Sequence, residues 1–131
     1  MIGLVFLLAA GTAQAKPADI CEQPITQRDM TMCAARDYEE ADAALNAQWS
    51  QTADVMRARD RDLDRVYDDR PGYFETLLAA QRAWLTYRDK HCASAGYRYR
   101  GGSMEPMIVS GCKTRLTEQR TRELADLIEA L

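Results

Sequence analysis

The sequence predicts an all-α protein: an elongated antiparallel bundle of three to four helices stapled by two disulfides. Three observations predict it. Apolar and small residues recur at steps of three, four and seven, which is the signature of a helical stripe. No segment alternates apolar and polar residues as a half-buried strand does. Four cysteines, Cys21, Cys33, Cys92 and Cys112, stand in a small chain behind an apolar leader, and that combination implies a disulfide framework.

The leader is Ile2 to Ala10, followed by small residues at Ala13 and Ala15. Residues 1–15 read as a secretory signal cleaved before Lys16, although no Lys or Arg precedes the apolar run. Residues 16–131 then form a single domain, periplasmic or secreted, that carries the whole net charge of −3. The nearest cysteine lies six residues beyond Ala15, so a lipid anchor on a first cysteine is not expected. No apolar run reaches the ~20 residues of a membrane span. The acidic balance argues against a nucleic-acid binder, which usually shows a basic face.

The cysteines allow three pairings. Cys21–Cys33 and Cys92–Cys112 are favoured because each pair brackets one short segment near a helix end. Loops of about 13 and about 21 residues would each contribute about 3 kcal/mol by chain entropy. Zinc would need tight pairs such as C-x2-C. The gaps here are 11, 58 and 19 residues, so neither a metal nor a cofactor is expected.

Residues 16–25, with Pro17 and Pro24, read as a short extended arm. Thr26 then caps a helix, with Asp29 in its first turn beside the positive dipole end. One stripe joins Met30, Cys33, Ala34, Tyr38, Ala41, Leu45, Trp49, Thr52, Met56, Leu63 and Val66. An unbroken helix over 27–70 would span roughly 60 Å. Either the molecule is elongated or the helix breaks, and the stripe is thinnest near 57–62. Asp68-Asp69-Arg70-Pro71-Gly72 is a turn. A second helix over about 72–95 would bury Phe74, Leu77, Leu78, Gln81, Trp84, Leu85, Arg88 and Cys92. Ser103 is placed to cap a third, with Pro106 in its first turn. Leu116, Leu124, Leu127, Ile128 and Leu131 carry the last stripe. Residues 104–130 form one bent helix, or Thr117 caps a separate fourth.

Few residues suit catalysis. His91, the one histidine, sits beside Cys92, and a Cys-His nucleophile needs a free thiol. Asp60, Asp62, Asp64, Asp68 and Asp69 would suit a hydrolase that uses paired carboxylates. Arg57, Arg59, Arg61, Arg65 and Arg70 are interleaved with them, and spacings such as Arg57–Asp60 and Arg61–Asp64 suit a solvated helix face. Gln81, Trp84, Arg88 and Cys92 fall on nearly one side of the second helix. They form a polar core or a ligand stripe, and Arg88 could pair with Asp37 or Glu39. Tyr97, Arg98, Tyr99, Arg100, Gly101 and Gly102 make the best recognition loop: Tyr and Arg are enriched at interface hot spots, and Gly permits close backbone approach.

An ordered set of short motifs runs along the chain. It comprises Thr26-Gln27-x-Asp29-Met30-x-x-Cys33, Ala41-Asp42-x-x-Leu45-Asn46, and Gln81-x-Ala83-Trp84-x-x-Tyr87-Arg88-Asp89-x-x-Cys92. Gly101-Gly102-Ser103 and Cys112-x-x-x-Leu116-Thr117-x-x-Arg120 complete it. Over about 21–124 the chain resembles the lysozyme inhibitor LprI-like family. The resemblance implies a small, exported, helical protein whose activity is inhibition of a lysozyme, and so a protein partner rather than a substrate. The expected plug is the loop with Tyr97, Tyr99, Arg100, Gly101 and Gly102, or else an acidic end around Asp68 and Asp69. The alternative is a periplasmic interaction or immunity-type module with another partner.

Overall fold

The computed structural model describes residues 18–129; the proposed leader and Leu131 lie outside them. Three helices form an up-down-up bundle: α1 (Gln27–Arg61), α2 (Tyr73–Gly96) and α3 (Glu105–Glu129). No strand occurs among the described residues. Consecutive helices are antiparallel, so α1 and α3 run the same way. Gln27 meets Met107 at one end, and Arg59 reaches the Leu127 carbonyl at the other.

The start of α1 follows its sequence closely. The Thr26 hydroxyl accepts the Asp29 N–H at 3.1 Å, and the Asp29 carboxylate accepts the Thr26 N–H at 3.3 Å. This reciprocal capping box satisfies two otherwise orphaned donors. The arm before it is not extended throughout: residues 20–22 turn, and the Glu22 N–H donates to the Asp19 carbonyl.

α1 ends at Arg61 and does not resume. Leu63 and Val66 therefore leave the stripe, and Val66 is exposed. Arg61 and Asp64 do not share a helix face. Asp60 has a different task from the one its spacing implied. Its carboxylate accepts the N–H groups of Tyr73 and Phe74 at 2.6 and 3.0 Å. The N-cap of α2 is Gly72, which has no side chain to do this. Gly72 also leaves room for the cap, because a Cβ there would stand 2.6 Å from Asp60 Oδ1.

α2 buries Leu77, Gln81, Arg88, Cys92 and Gly96. Leu85, expected inside, is exposed. α3 begins at Glu105, so Met104 holds the cap position and Ser103 lies outside it; the Ile108 N–H donates to the Met104 carbonyl. The helix is single. Thr117 sits fully buried within it rather than capping a fourth. Leu127 is exposed, although Leu116 and Leu124 of the same stripe are buried.

The core has two parts. Leu45, Met56, Leu77 and Leu124 form one, and Cys92, Cys112 and Leu116 form the other. Trp84 packs against both and joins them. The Thr52 hydroxyl, fully buried, donates to the Leu124 carbonyl at 2.9 Å and ties α1 to α3. Cys21 is bonded to Cys33 and Cys92 to Cys112, with Cα separations of 5.6 and 5.4 Å. Both bridges lie in the half of the bundle that holds the α2–α3 connection.

Candidate functional site

The α2–α3 connection is built at a close helix crossing. A Cβ on Gly96 would meet Val109 Cγ2 at 2.5 Å, so a glycine lets the two helices meet there. One turn back along α2, the Cys92–Cys112 bridge fixes the same pair covalently. The chain then makes one 3₁₀ turn, Tyr97–Tyr99.

Backbone bonds define the rest of the loop. The Arg100 N–H donates to the Tyr97 carbonyl, the Gly102 N–H to the Tyr99 carbonyl at 2.8 Å, and the Glu105 N–H to the Gly102 carbonyl. Gly101 has φ +76°, and its N–H donates to Glu105 Oε2 at 2.7 Å. That φ lies in the left-handed region that favours glycine. A Cβ there would meet nothing within 4 Å, so Gly101 faces open space.

The side chains project from this fixed frame. Tyr97 and Tyr99 are exposed, as are Arg98 and Arg100. The Arg100 guanidinium lies 4.6 Å from the centre of the Tyr97 ring. Neither Arg98 nor Arg100 forms an ion pair among the described residues. A shallow hollow of about 390 Å³ lies beside the loop, between Arg98, Arg100 and Met104. The surface is aromatic and cationic, and its backbone is already ordered. Such a surface binds without a large ordering cost.

The α2 motif divides into two groups. Arg88 is buried and holds three elements together. Its guanidinium donates to Asp89 at 3.0 Å and to Asp42 and the Thr117 hydroxyl at 3.4 Å. It also lies over the rings of Trp84 and Tyr38. The partner on α1 is thus Asp42, not Asp37 or Glu39: Asp42 is the acid whose position faces α2. Burial pushes the Tyr38 phenol above its ordinary pKa, partly offset by the Arg88 charge. Gln81 is buried and accepts from Arg120 at 2.9 Å, while Arg120 also pairs with Glu123. Asp89 completes the group through Lys113 at 3.7 Å. Gln81, Trp84, Arg88 and Asp89 therefore hold the bundle together. Tyr87 is exposed and makes none of these contacts; it stacks on His91 with ring centres 5.2 Å apart.

The acidic end is a poorer recognition surface. Asp68 is held by Arg70 at 2.6 Å, and the Arg70 side-chain and backbone donors lower its pKa to about 2. Its charge is matched within its own loop. No group of acids, His or Cys among the described residues is arranged to hold a metal. No described helix is long and apolar enough to cross a membrane.

Sequence reasoning missed two devices. The Glu105 hold on Gly101 had a signal, an acid four residues after the first of two adjacent glycines. The Asp60 cap had a weaker one, a helix opening on a glycine with no capping side chain of its own.

The family model for lysozyme inhibitor LprI matches residues 21–124. An uncharacterised protein of Rhizobium meliloti (strain 1021) is 41% identical over 129 residues, spanning 98% of this chain and 93% of that protein. No solved structure matches. The match covers all three helices up to Leu124 and both cysteine pairs, and the chain belongs to the LprI lysozyme inhibitor family.

Proposed function

We propose that the protein is exported, loses residues 1–15, and blocks a lysozyme or related peptidoglycan hydrolase with the loop of Tyr97, Arg98, Tyr99, Arg100, Gly101 and Gly102. Family membership supports the inhibitor role. Two disulfides fit an oxidising compartment such as the periplasm or the outside of the cell. The observation that carries the site is the loop itself: an ordered tip with exposed tyrosines and two guanidinium groups free of ion pairs.

The chemistry is complementary. Glycoside hydrolases use two carboxyl groups about 5–10 Å apart across the scissile bond. An arginine matches a carboxylate with paired donors in a fixed plane. A tyrosine beside it adds a large contact with little conformational freedom to lose. The net charge of −3 steers the whole molecule toward a basic enzyme, and the cationic tip enters the acidic cleft.

The test is lysis of labelled peptidoglycan by goose-type, chicken-type and invertebrate-type lysozymes. The oxidised protein is added in increasing amounts at two salt concentrations. Stoichiometric inhibition of one enzyme, weakened by salt, is the expected result. Tyr99→Ala and Gly101→Trp should each abolish it and leave the helical circular dichroism unchanged. If both variants inhibit normally, the loop is not the plug. If no enzyme is inhibited, the family's fold here serves another envelope partner, such as a toxin met by an immunity-type module.

A further inference from the structure

The opposite end of the bundle carries a second surface, made of different chemistry. An apolar groove of about 780 Å³ opens there between the ends of the three helices and the α1–α2 connection. Met56, Leu63, Pro71, Tyr73, Leu77 and Leu127 are among the side chains that line it. Beside it, Val66 and Tyr67 stand 81% and 90% exposed. Tyr73 and Leu127 are also exposed, so four large apolar side chains cluster at one end. Patches of this kind mark interaction sites in soluble proteins.

We propose that this end docks onto a second copy of the same chain, with Tyr67 of each copy seated in the groove of the other. A two-fold interface requires one patch that is complementary to itself. This patch carries a projecting aromatic and an apolar hole side by side: Leu63 and Asp68 line the groove, and Tyr67 lies between them in the chain. Its charge permits self-contact. The exposed charged residues of 61–70 are Arg61, Asp62, Asp64, Arg65, Asp69 and Arg70, three of each sign, of which Arg65 and Arg70 also bond within the connection. Two such rims can cross-pair without net repulsion. A strongly charged partner would gain nothing from a neutral rim, which favours a second copy over a polyanion or polycation. The free tips at 97–103 would then point apart, one at each end of the dimer.

Sedimentation velocity on the purified, oxidised protein tests the proposal from about 1 to about 100 μM, a range that brackets a Kd near ten micromolar. The expected result is a monomer–dimer equilibrium. Tyr67→Asp removes the knob and Ala80→Glu charges the groove wall. Both residues are exposed, so the fold should survive, as circular dichroism will check. Each variant should weaken dimerisation by at least about tenfold. Mixing the two should recover part of it, because one of the two knob-in-groove contacts is then intact. A chain that stays monomeric throughout overturns the proposal, as do dimers unaffected by both variants. Monomers whose groove instead takes up anilinonaphthalene sulfonate, with no dimer at any concentration, also overturn it and assign the groove to an apolar ligand.

Discussion

The two ends of this bundle solve the same problem, turning the chain between helices, with different means. At the α2–α3 end a disulfide, a glycine crossing and a carboxylate on Gly101 leave the backbone few alternatives. The side chains there are free of structural duty and point outward. At the α1–α2 end no disulfide is present, and residues 62–72 are held by charge. Asp60 caps α2, Arg65 donates to the Arg70 carbonyl, and Asp68 holds Arg70. Covalent closure at the α2–α3 end thus leaves tyrosines and arginines available for a partner. At the other end Asp60, Arg65, Asp68 and Arg70 hold the connection, and large apolar side chains remain uncovered.

The largest expected effect breaks the stapled end. Replacing Cys92 and Cys112 together by Ala should cost about 3 kcal/mol by loop entropy, read as a lower urea midpoint. Cys92 is fully buried against Leu116, so lost packing adds to that figure. The same change at Cys21 and Cys33 should cost clearly less in global stability, since that bridge ties down only the short arm before α1. Equal losses would show that the two bridges play the same role.

At the open end, Asp60→Ala should cost about 1 kcal/mol, the usual value of a helix cap. Gly72→Ala should produce a similar loss by displacing the same carboxylate. A double variant should then lose little more than either single one, because both act on one cap.

The smallest effect is one of pH. Asp68 has a folded pKa of about 2, below its ordinary value of 3.8. A depressed carboxylate contributes stability that is present above about pH 4 and lost as pH falls through 2. The group is half-buried and its partner Arg70 is exposed, so the gain is small. The carboxyl carbon shift of Asp68 should therefore titrate with a midpoint near 2, and Arg70→Ala should return it toward 3.8.

Much of the fold was legible because its signals are local. The capping box needs only Thr26 and Asp29, and the α2 face needs only helical spacing. The end of α1 was legible too: the apolar stripe is thinnest near 57–62, and the helix ends at Arg61. What was not legible is that Asp60 caps α2, because that contact depends on how the connection folds back. Leu85 and Leu127 were misplaced for a related reason. A three-helix bundle has room for one narrow stripe per helix, and spacing alone does not say which edge of a wide stripe faces solvent. The Arg88 partner depended on the register between α1 and α2, which no local pattern encodes. The loop at 97–103 was legible as an unusual cluster of tyrosine, arginine and glycine. Its rigidity was not, because that rests on Glu105 and the Gly96 crossing.

In the proposed mode of inhibition the stapled end, not the open end, meets the lysozyme. The most direct test titrates one susceptible lysozyme with three proteins in parallel: the wild type, Tyr99→Ala, and Tyr67→Asp. The expected results are stoichiometric inhibition by the wild type, loss of inhibition for Tyr99→Ala, and full inhibition per chain for Tyr67→Asp. Loss for Tyr67→Asp with normal inhibition by Tyr99→Ala would contradict it and move the inhibitory surface to the open end.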